Sequence, residues 1–162
     1  MNVEYINPFV ISTKNVFATM LNCELVRGEI RLKTHTCPEH NVSGIIGLSG
    51  RAHGTVVLSL NRDAAILAAA AMLQERPSEV NAEVKDAVGE LVNIIAGGAK
   101  AQLFALKMSV TIPTVVTGKF CIDFPSATPA IVIPFSSIWG PLTIEVGLKE
   151  CSIAKTVVSN VI

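Results

Sequence analysis

The run Glu83-Val84-Lys85-Asp86-Ala87-Val88-Gly89-Glu90-Leu91-Val92-Asn93-Ile94-Ile95-Ala96-Gly97-Gly98-Ala99-Lys100 has a dry side and a wet side. Val84, Ala87, Val88, Leu91, Ile94, Ile95, Ala99 and, further on, Leu103 recur at helical spacing as an apolar face. Glu83, Asp86, Glu90, Asn93, Gly97 and Lys100 recur in alternating steps of three and four, which draws a polar line along the same helix. The periodicity predicts one long helix from about Glu79 or Val80 to Leu106.

Such a line is ordinarily the wetted face of a surface helix. Three details set this one apart. The opposite face is strongly apolar, so the line is carried on a rigid element, as a catalytic site requires. Gly97 interrupts it one turn past Asn93, although glycine costs about 1 kcal/mol against alanine within a helix; its benefit is room for another surface to approach. Asn93 is a poor helix former, because its side chain competes for backbone hydrogen bonds. Glu90 and Asn93 stand one turn apart: the carboxylate can hold a cation, and the carboxamide can orient a water by donating and accepting hydrogen bonds. Gly98 is read as a packing residue that lets the helix sit close on a sheet.

Outward from this helix the period changes. Upstream, Asn7 to Leu21 reads as a first helix, with Asn7 as cap, Pro8 at its start, and Phe9, Val16, Phe17, Met20 and Leu21 as its apolar face. Three strands follow, at Glu24 to Lys33, Val42 to Ser49 and Thr55 to Leu60, read as a meander of neighbouring antiparallel strands. Asn61 caps a second, alanine-rich helix over Arg62 to Leu73, and Arg76-Pro77-Ser78 breaks it. Downstream of the long helix, Ser109 to Val116, Ala130 to Ser136 and Leu142 to Leu148 are strand-like. Ile144, Val146 and Leu148 alternate there with Thr143, Glu145 and Gly147. Pro134 marks its strand as an edge, or as ending early. Lys119 to Thr128 is read as a loop. The sum is an α+β class: a largely antiparallel sheet with packed helices. The first helix and the long helix could be distant counterparts, each preceding a set of strands, although no close internal repeat is visible.

Composition narrows the function. The chain has 162 residues, half of them hydrophobic, and a formal net charge of zero. It reads as one domain over residues 1–162, with the tail 151–162 unassigned. A disordered chain is excluded, and no Lys/Arg cluster suggests nucleic acid. Ala64 to Leu73, the longest apolar stretch, is about half a membrane span, so no membrane insertion is expected. The N-terminus lacks the pattern of a signal peptide, which places the chain in the cytoplasm. Cys23, Cys37, Cys121 and Cys151 are spread without a CxxC and are read as reduced thiols. His35, Cys37 and His40 crowd one segment, but three local ligands fit no zinc motif well, and the segment is read as a polar hairpin loop.

Glu90-Leu91-Val92-Asn93-Ile94-Ile95-Ala96-Gly97 resembles the ExxN signature of the CheC/CheX/FliY phosphatases of bacterial chemotaxis. The single copy resembles the CheX branch, since CheC-type members typically carry two; Lys14-Asn15-Val16-Phe17 in the first helix contains none. Asn7-Pro8-Phe9, Met20-Leu21, Gly54-Thr55-Val56-Val57-Leu58, Pro113-Thr114-Val115-Val116 and Gly140-Pro141-Leu142 are CheX-like too. The resemblance covers the chain to about Leu148.

That resemblance implies a protein substrate, a CheY-like response regulator phosphorylated on aspartate. Asn93 would place the attacking water and Glu90 would engage the regulator's lysine. Asp86, Glu83, Gly97 and Lys100 would border the partner. No cofactor or metal of its own is expected; Mg2+ would come with the phosphorylated regulator. A homodimer formed by joining sheets is implied, with the edge near Pro134 and the strand Leu142–Leu148 as its joint. Two other readings stand beside this one. The same fold could be a non-catalytic interaction module of a chemotaxis or two-component pathway, or a small-ligand sensor hinted at by the histidine loop and the apolar Ala64–Ala71 helix.

Overall fold

Proline suits the opening of the first helix, α1 (Asn7–Met20), because the first N–H groups of a helix have no intrahelical partner. In the computed structural model, which describes residues 3–34, 37–124 and 129–151, Ile6 takes the cap position and Asn7 is already helical. Asn7 is therefore not the cap that the sequence suggested. Phe9, Val16, Phe17 and Leu21 are buried as expected, whereas Met20 is exposed.

The chain continues through β1 (Val26–Arg27), β2 (Arg31–Leu32), β3 (Val42–Ser49) and β4 (Ala52–Leu60) to α2 (Arg62–Leu73) and α3 (Ala82–Gln102). It ends with β5 (Ser109–Val110), β6 (Thr114–Thr117), β7 (Ala130–Ser137) and β8 (Gly140–Glu150). Both later helices start on asparagine caps: Asn61 Oδ1 accepts from the Ala64 N–H at 2.7 Å, and Asn81 Oδ1 from the Val84 N–H at 3.0 Å. Each such cap is worth about 1 kcal/mol. Asn81 thus sets the start of α3 later than Glu79 or Val80. Its end comes sooner than Leu106 because the Leu103 N–H bonds to both Ala99 and Lys100, tightening the last turn into the 3-10 stretch Phe104–Leu106.

The strands form one antiparallel sheet in the order β1-β7-β8-β4-β3-β5, with β2 also beside β7 and β6 also beside β3. This order reads the same from either end if β1/β2 is matched with β5/β6, β3 with β7, and β4 with β8. Each half begins with a helix, α1 or α3, and sends its broken outer strand across to the other half. The sheet is α+β and antiparallel as expected, but the first three strands are no meander: β3 and β4 pair, while β1 and β2 lie at the far edge on β7.

Pro134 on β7 pairs with Thr143 on β8, and its carbonyl accepts from the Gly28 N–H at 2.8 Å. Its missing N–H faces the same neighbour, where residues 28–30 separate β1 from β2 as a bulge. Thus Pro134 marks the break in the outer strand rather than an edge of its own. β8 lies between β7 and β4, so Leu142–Leu148 offers no edge for joining a second sheet.

α3 lies on the sheet face that carries Gly44, Leu58, Ile144 and Ile133. A Cβ at Gly44 would stand 2.9 Å from Val92 Cγ1, so glycine there sets the depth of the helix. α1 packs beside α3, and Ser12 Oγ donates to the Ile95 carbonyl at 2.8 Å. Although polar and apolar residues alternate along β8, Thr143 and Glu145 are buried like Ile144 and Val146. On this outer face Ser43 and Ser59 hydroxyls meet at 2.6 Å, Phe124 covers Gly147, and Lys33 Nζ lies 2.5 Å from Glu145 Oε2. The Lys33 and Glu145 side chains are only 8% and 2% exposed. Burial pushes the Glu145 carboxyl above its ordinary 4.5, against the opposing pull of Lys33.

A buried pair is costly to break one partner at a time and cheap to replace whole. Lys33→Met should destabilise the protein by about 3–5 kcal/mol in urea titrations at neutral pH, while Lys33→Met/Glu145→Leu should recover most of that loss. A carboxyl pKa raised by folding favours the folded state at acid pH, and that contribution fades as pH rises through the folded value. The Lys33→Met penalty should therefore shrink as the pH falls through the range above 4.5 in which the raised Glu145 carboxyl takes up its proton.

Candidate active site on the long helix

Val84, Ala87, Val88, Leu91, Val92, Ile95, Ala96 and Ala99 are all buried against the sheet and the flanking helices. A helix held along so many turns cannot roll, and its other side is fixed towards solvent. Glu83, Asp86 and Glu90 are exposed, and Asn93, Gly97 and Lys100 are half-buried. All six predicted residues therefore share one accessible line, with Glu90 and Asn93 a turn apart at its middle.

The six differ in what the rest of the chain asks of them. Glu83 sits in the first turn of α3 and Lys100 in the last, where their charges complement the helix dipole. Glu83 also accepts a 3.4 Å hydrogen bond from Asn81 Nδ2. Asp86, Glu90, Asn93 and Lys100 make no side-chain hydrogen bond or ion pair among the described residues. Thr13 and Gln102 satisfy themselves by bonding back to the carbonyl four residues earlier, at 2.7 and 3.4 Å. Asn93, in the interior of α3, does not. Its carboxamide donors and acceptor have no partner among the described residues.

The glycines separate in the same way. A side chain at Gly98 would run into the Ser12 hydroxyl of α1, so Gly98 serves helix-to-helix packing rather than the sheet contact expected from sequence. A Cβ at Gly97 would meet nothing within 4 Å. Among the described residues, close packing therefore gives no reason for glycine at position 97.

Beyond Lys100 the line opens into a groove of about 450 Å³ lined by Pro8, Ile11, Gln102, Leu103 and Phe104 among others. Phe104 is 82% exposed there. Sequence reasoning missed this groove because it counted Phe104 into the long helix, whereas the chain leaves α3 before Phe104 and the groove joins that turn to Pro8 and Ile11 of α1. Cys37 and His40 belong to the outer face of the sheet, remote from α3, and His35 lies outside the described residues, as does the tail from residue 152 on. Burial lowers the pKa of His40. Among the described residues no group of three or more His, Cys, Asp or Glu could hold a metal ion, and no helix is long and apolar enough to cross a membrane.

The family described as "Chemotaxis phosphatase CheX" matches residues 42–136, which contain both Glu90 and Asn93. A CheC-like superfamily protein from Shewanella sp. PV-4 has the same fold with a TM-score of 0.84 at 38% identity, over 92% of this chain and 99% of that one. The "CheY-P phosphatase CheX" of Thermotoga maritima is 25% identical over 122 residues, 74% of this chain and 79% of its own length. The fold also recurs, with a TM-score of 0.73 at 24% identity over 92% of this chain and 100% of the other, in a CheX-CheY-BeF3-Mg2+ complex from Borrelia burgdorferi.

With open space above position 97, Gly97→Ala should stabilise the isolated protein by about 0.5–1 kcal/mol, as glycine-to-alanine changes do inside helices. Gly98→Ala should destabilise it, because the new methyl group displaces Ser12. Urea midpoints for the two variants should move in opposite directions; a loss of stability in Gly97→Ala would show that the position is packed after all.

Proposed function

The chain belongs to the CheX family of chemotaxis phosphatases, and from that premise we propose that it hydrolyses the aspartyl phosphate of a CheY-like response regulator. The observation that carries the reading is the outward pair on α3. Glu90 and Asn93 are fixed in direction by the buried face behind them, have no partner among the described residues, and stand beside the open space over Gly97. The name of the Thermotoga maritima relative and the CheY-bound complex of the Borrelia burgdorferi neighbour support the same substrate.

The chemistry asks little of the phosphatase. Water attacks phosphorus in line with the bond to the aspartate oxygen; the new O–P bond forms as that bond breaks. The regulator recovers its carboxylate, and inorganic phosphate leaves with the oxygen of the water. Phosphoryl transfer of this kind depends on positioning and charge stabilisation. Asn93 would hold the water, its carbonyl oxygen accepting one water hydrogen or its N–H donating to the water's lone pair. Being neutral, it adds no repulsion towards the phosphoryl oxygens. Glu90 would pair with the regulator's lysine and set the register of the helix in the cleft. Mg2+ would be the regulator's own. Asp86, Glu83 and Lys100 would border the contact, where charges chiefly tune encounter rate. Gly97 would let the regulator's surface come down on the helix.

The family resemblance also implies a cytoplasmic homodimer. A joint that extends the sheet must use its outer strands, β1/β2 or β5/β6, because both sides of β8 are occupied. A monomeric mass in light scattering at micromolar concentration would rule out that assembly.

Asn93→Ala should lower the stimulated loss of phosphate from a phosphorylated CheY-type receiver by about 10²-fold or more, the usual effect of removing one aligned polar group from a reacting centre. Far-ultraviolet circular dichroism should be unchanged. Glu90→Ala should weaken the complex by about 2 kcal/mol or more, as expected for one partner of a desolvated charge pair. A panel of phosphorylated receivers tested with wild type and both variants decides the matter. Tight capture of a receiver with no accelerated phosphate loss would make the chain a docking module instead.

A further inference from the structure

Two counterpart segments meet on the outer face of the sheet. One leaves β2 towards β3 and the other leaves β6 towards β7, which makes them equivalent positions in the two halves of the fold. They run in opposite directions past each other. Lys33 Nζ lies 5.6 Å from the Phe124 ring centroid, and at the other end the Gly118 N–H donates to the Asn41 carbonyl at 2.8 Å. Midway between these two contacts, Cys37 Sγ and Cys121 Sγ are 2.7 Å apart. Both residues are exposed. Cys37 also lines a cleft of about 200 Å³ with Arg31, Lys33, Glu39 and Glu145, which gives a small reagent a path to the sulfur.

We propose that Cys37 and Cys121 are a reversible disulfide site, oxidised by a low-molecular-weight disulfide such as oxidised glutathione. One thiolate attacks the oxidant, forming a mixed disulfide and releasing one molecule of thiol. The second cysteine sulfur then attacks the protein-bound sulfur, closing the Cys37–Cys121 bond and releasing the second thiol. The protein loses two protons and two electrons, and the oxidant is reduced to two thiols. Contacts at both ends hold the segments in register, so the second step needs no large movement of the backbone. Zinc is a poorer occupant of this pair, since two thiolates on a tetrahedral zinc stand about 3.7–3.8 Å apart.

The remaining cysteines make internal controls. Cys23 is buried, and Cys151 lies elsewhere, its sulfur 3.3 Å from His53 Nδ1. The bridge would link residues 84 positions apart and pin the cover over Glu145. A cross-link closing so long a loop constrains the unfolded chain, and it should raise Tm by about 5–10 °C.

The test treats the full chain with oxidised glutathione and maps its peptides by mass spectrometry without reduction. The expected result is a cross-linked pair of peptides containing Cys37 and Cys121, reversed by excess thiol. Cys121→Ser should instead trap glutathione on Cys37, whereas Cys151→Ser should still form the bridge and show the rise in Tm. Wild type that accumulates glutathione on Cys37 or Cys121 without the cross-link would overturn the proposal. So would a link that joins Cys151 instead.

Discussion

Val92 reaching over Gly44 fixes how deeply α3 sits on the sheet. Leu91, Ile95, Ala96 and Ala99 are fully buried on the same helix, so depth and rotation are set together. Close-packed interiors resist the shift of even a methylene. The orientation of Glu90 and Asn93 therefore follows from the residues behind them. The role proposed for Asn93 would require a group held to a fraction of an ångström, which a packed helix supplies better than a loop.

The strand order adds a second constraint. A sheet that reads alike from both ends has two helices in equivalent places, yet the halves are not chemically alike. α1 is shorter than α3 and contains no carboxylate–carboxamide pair at one-turn spacing. Its Ser12 and Thr13 are buried and turned to internal hydrogen bonds, one of them on α3 itself. In this chain α1 steadies the helix that carries the polar line. The two-fold topology also brings the Cys37 and Cys121 segments together, which neither half could do alone.

What could be read from sequence follows a physical divide between local and non-local signals. Asn61 and the alanine run gave α2 its boundaries, because caps and periodicity act within a few residues. Val42–Ser49 was legible for the same reason. The partners of the strands were not. Nothing in Val26–Arg27 or Arg31–Leu32 says that they pair with β7, and Pro134 was misread because its missing N–H is accommodated by a bulge formed about a hundred residues away in sequence. The burial of Thr143 and Glu145 was hidden as well, since their cover comes from Lys33 and Phe124. That the six candidate residues share one accessible line was legible, because one helix carries them all. The groove at Phe104 was not, because it depends on where that helix stops.

The line on α3 contains two kinds of residue, and only one kind is explained by folding. Glu83 and Lys100 complement the helix dipole, and Gly98 makes room for Ser12. Asn93 and Gly97 return nothing of this sort. Relative to alanine they cost the helix on the order of 1.5 kcal/mol together, in a protein whose whole stability is of order 5–15 kcal/mol. Asn93 has no hydrogen bond among the described residues and Gly97 no close neighbour that a Cβ would strike. A local cost without a local return is the mark of a functional position, where consistency between sequence and fold is given up for something else. Here the two positions are adjacent on one turn and flank the space that a partner's phosphorylated cleft would fill. Under the proposed function, that partner would make the contacts which both positions lack among the described residues.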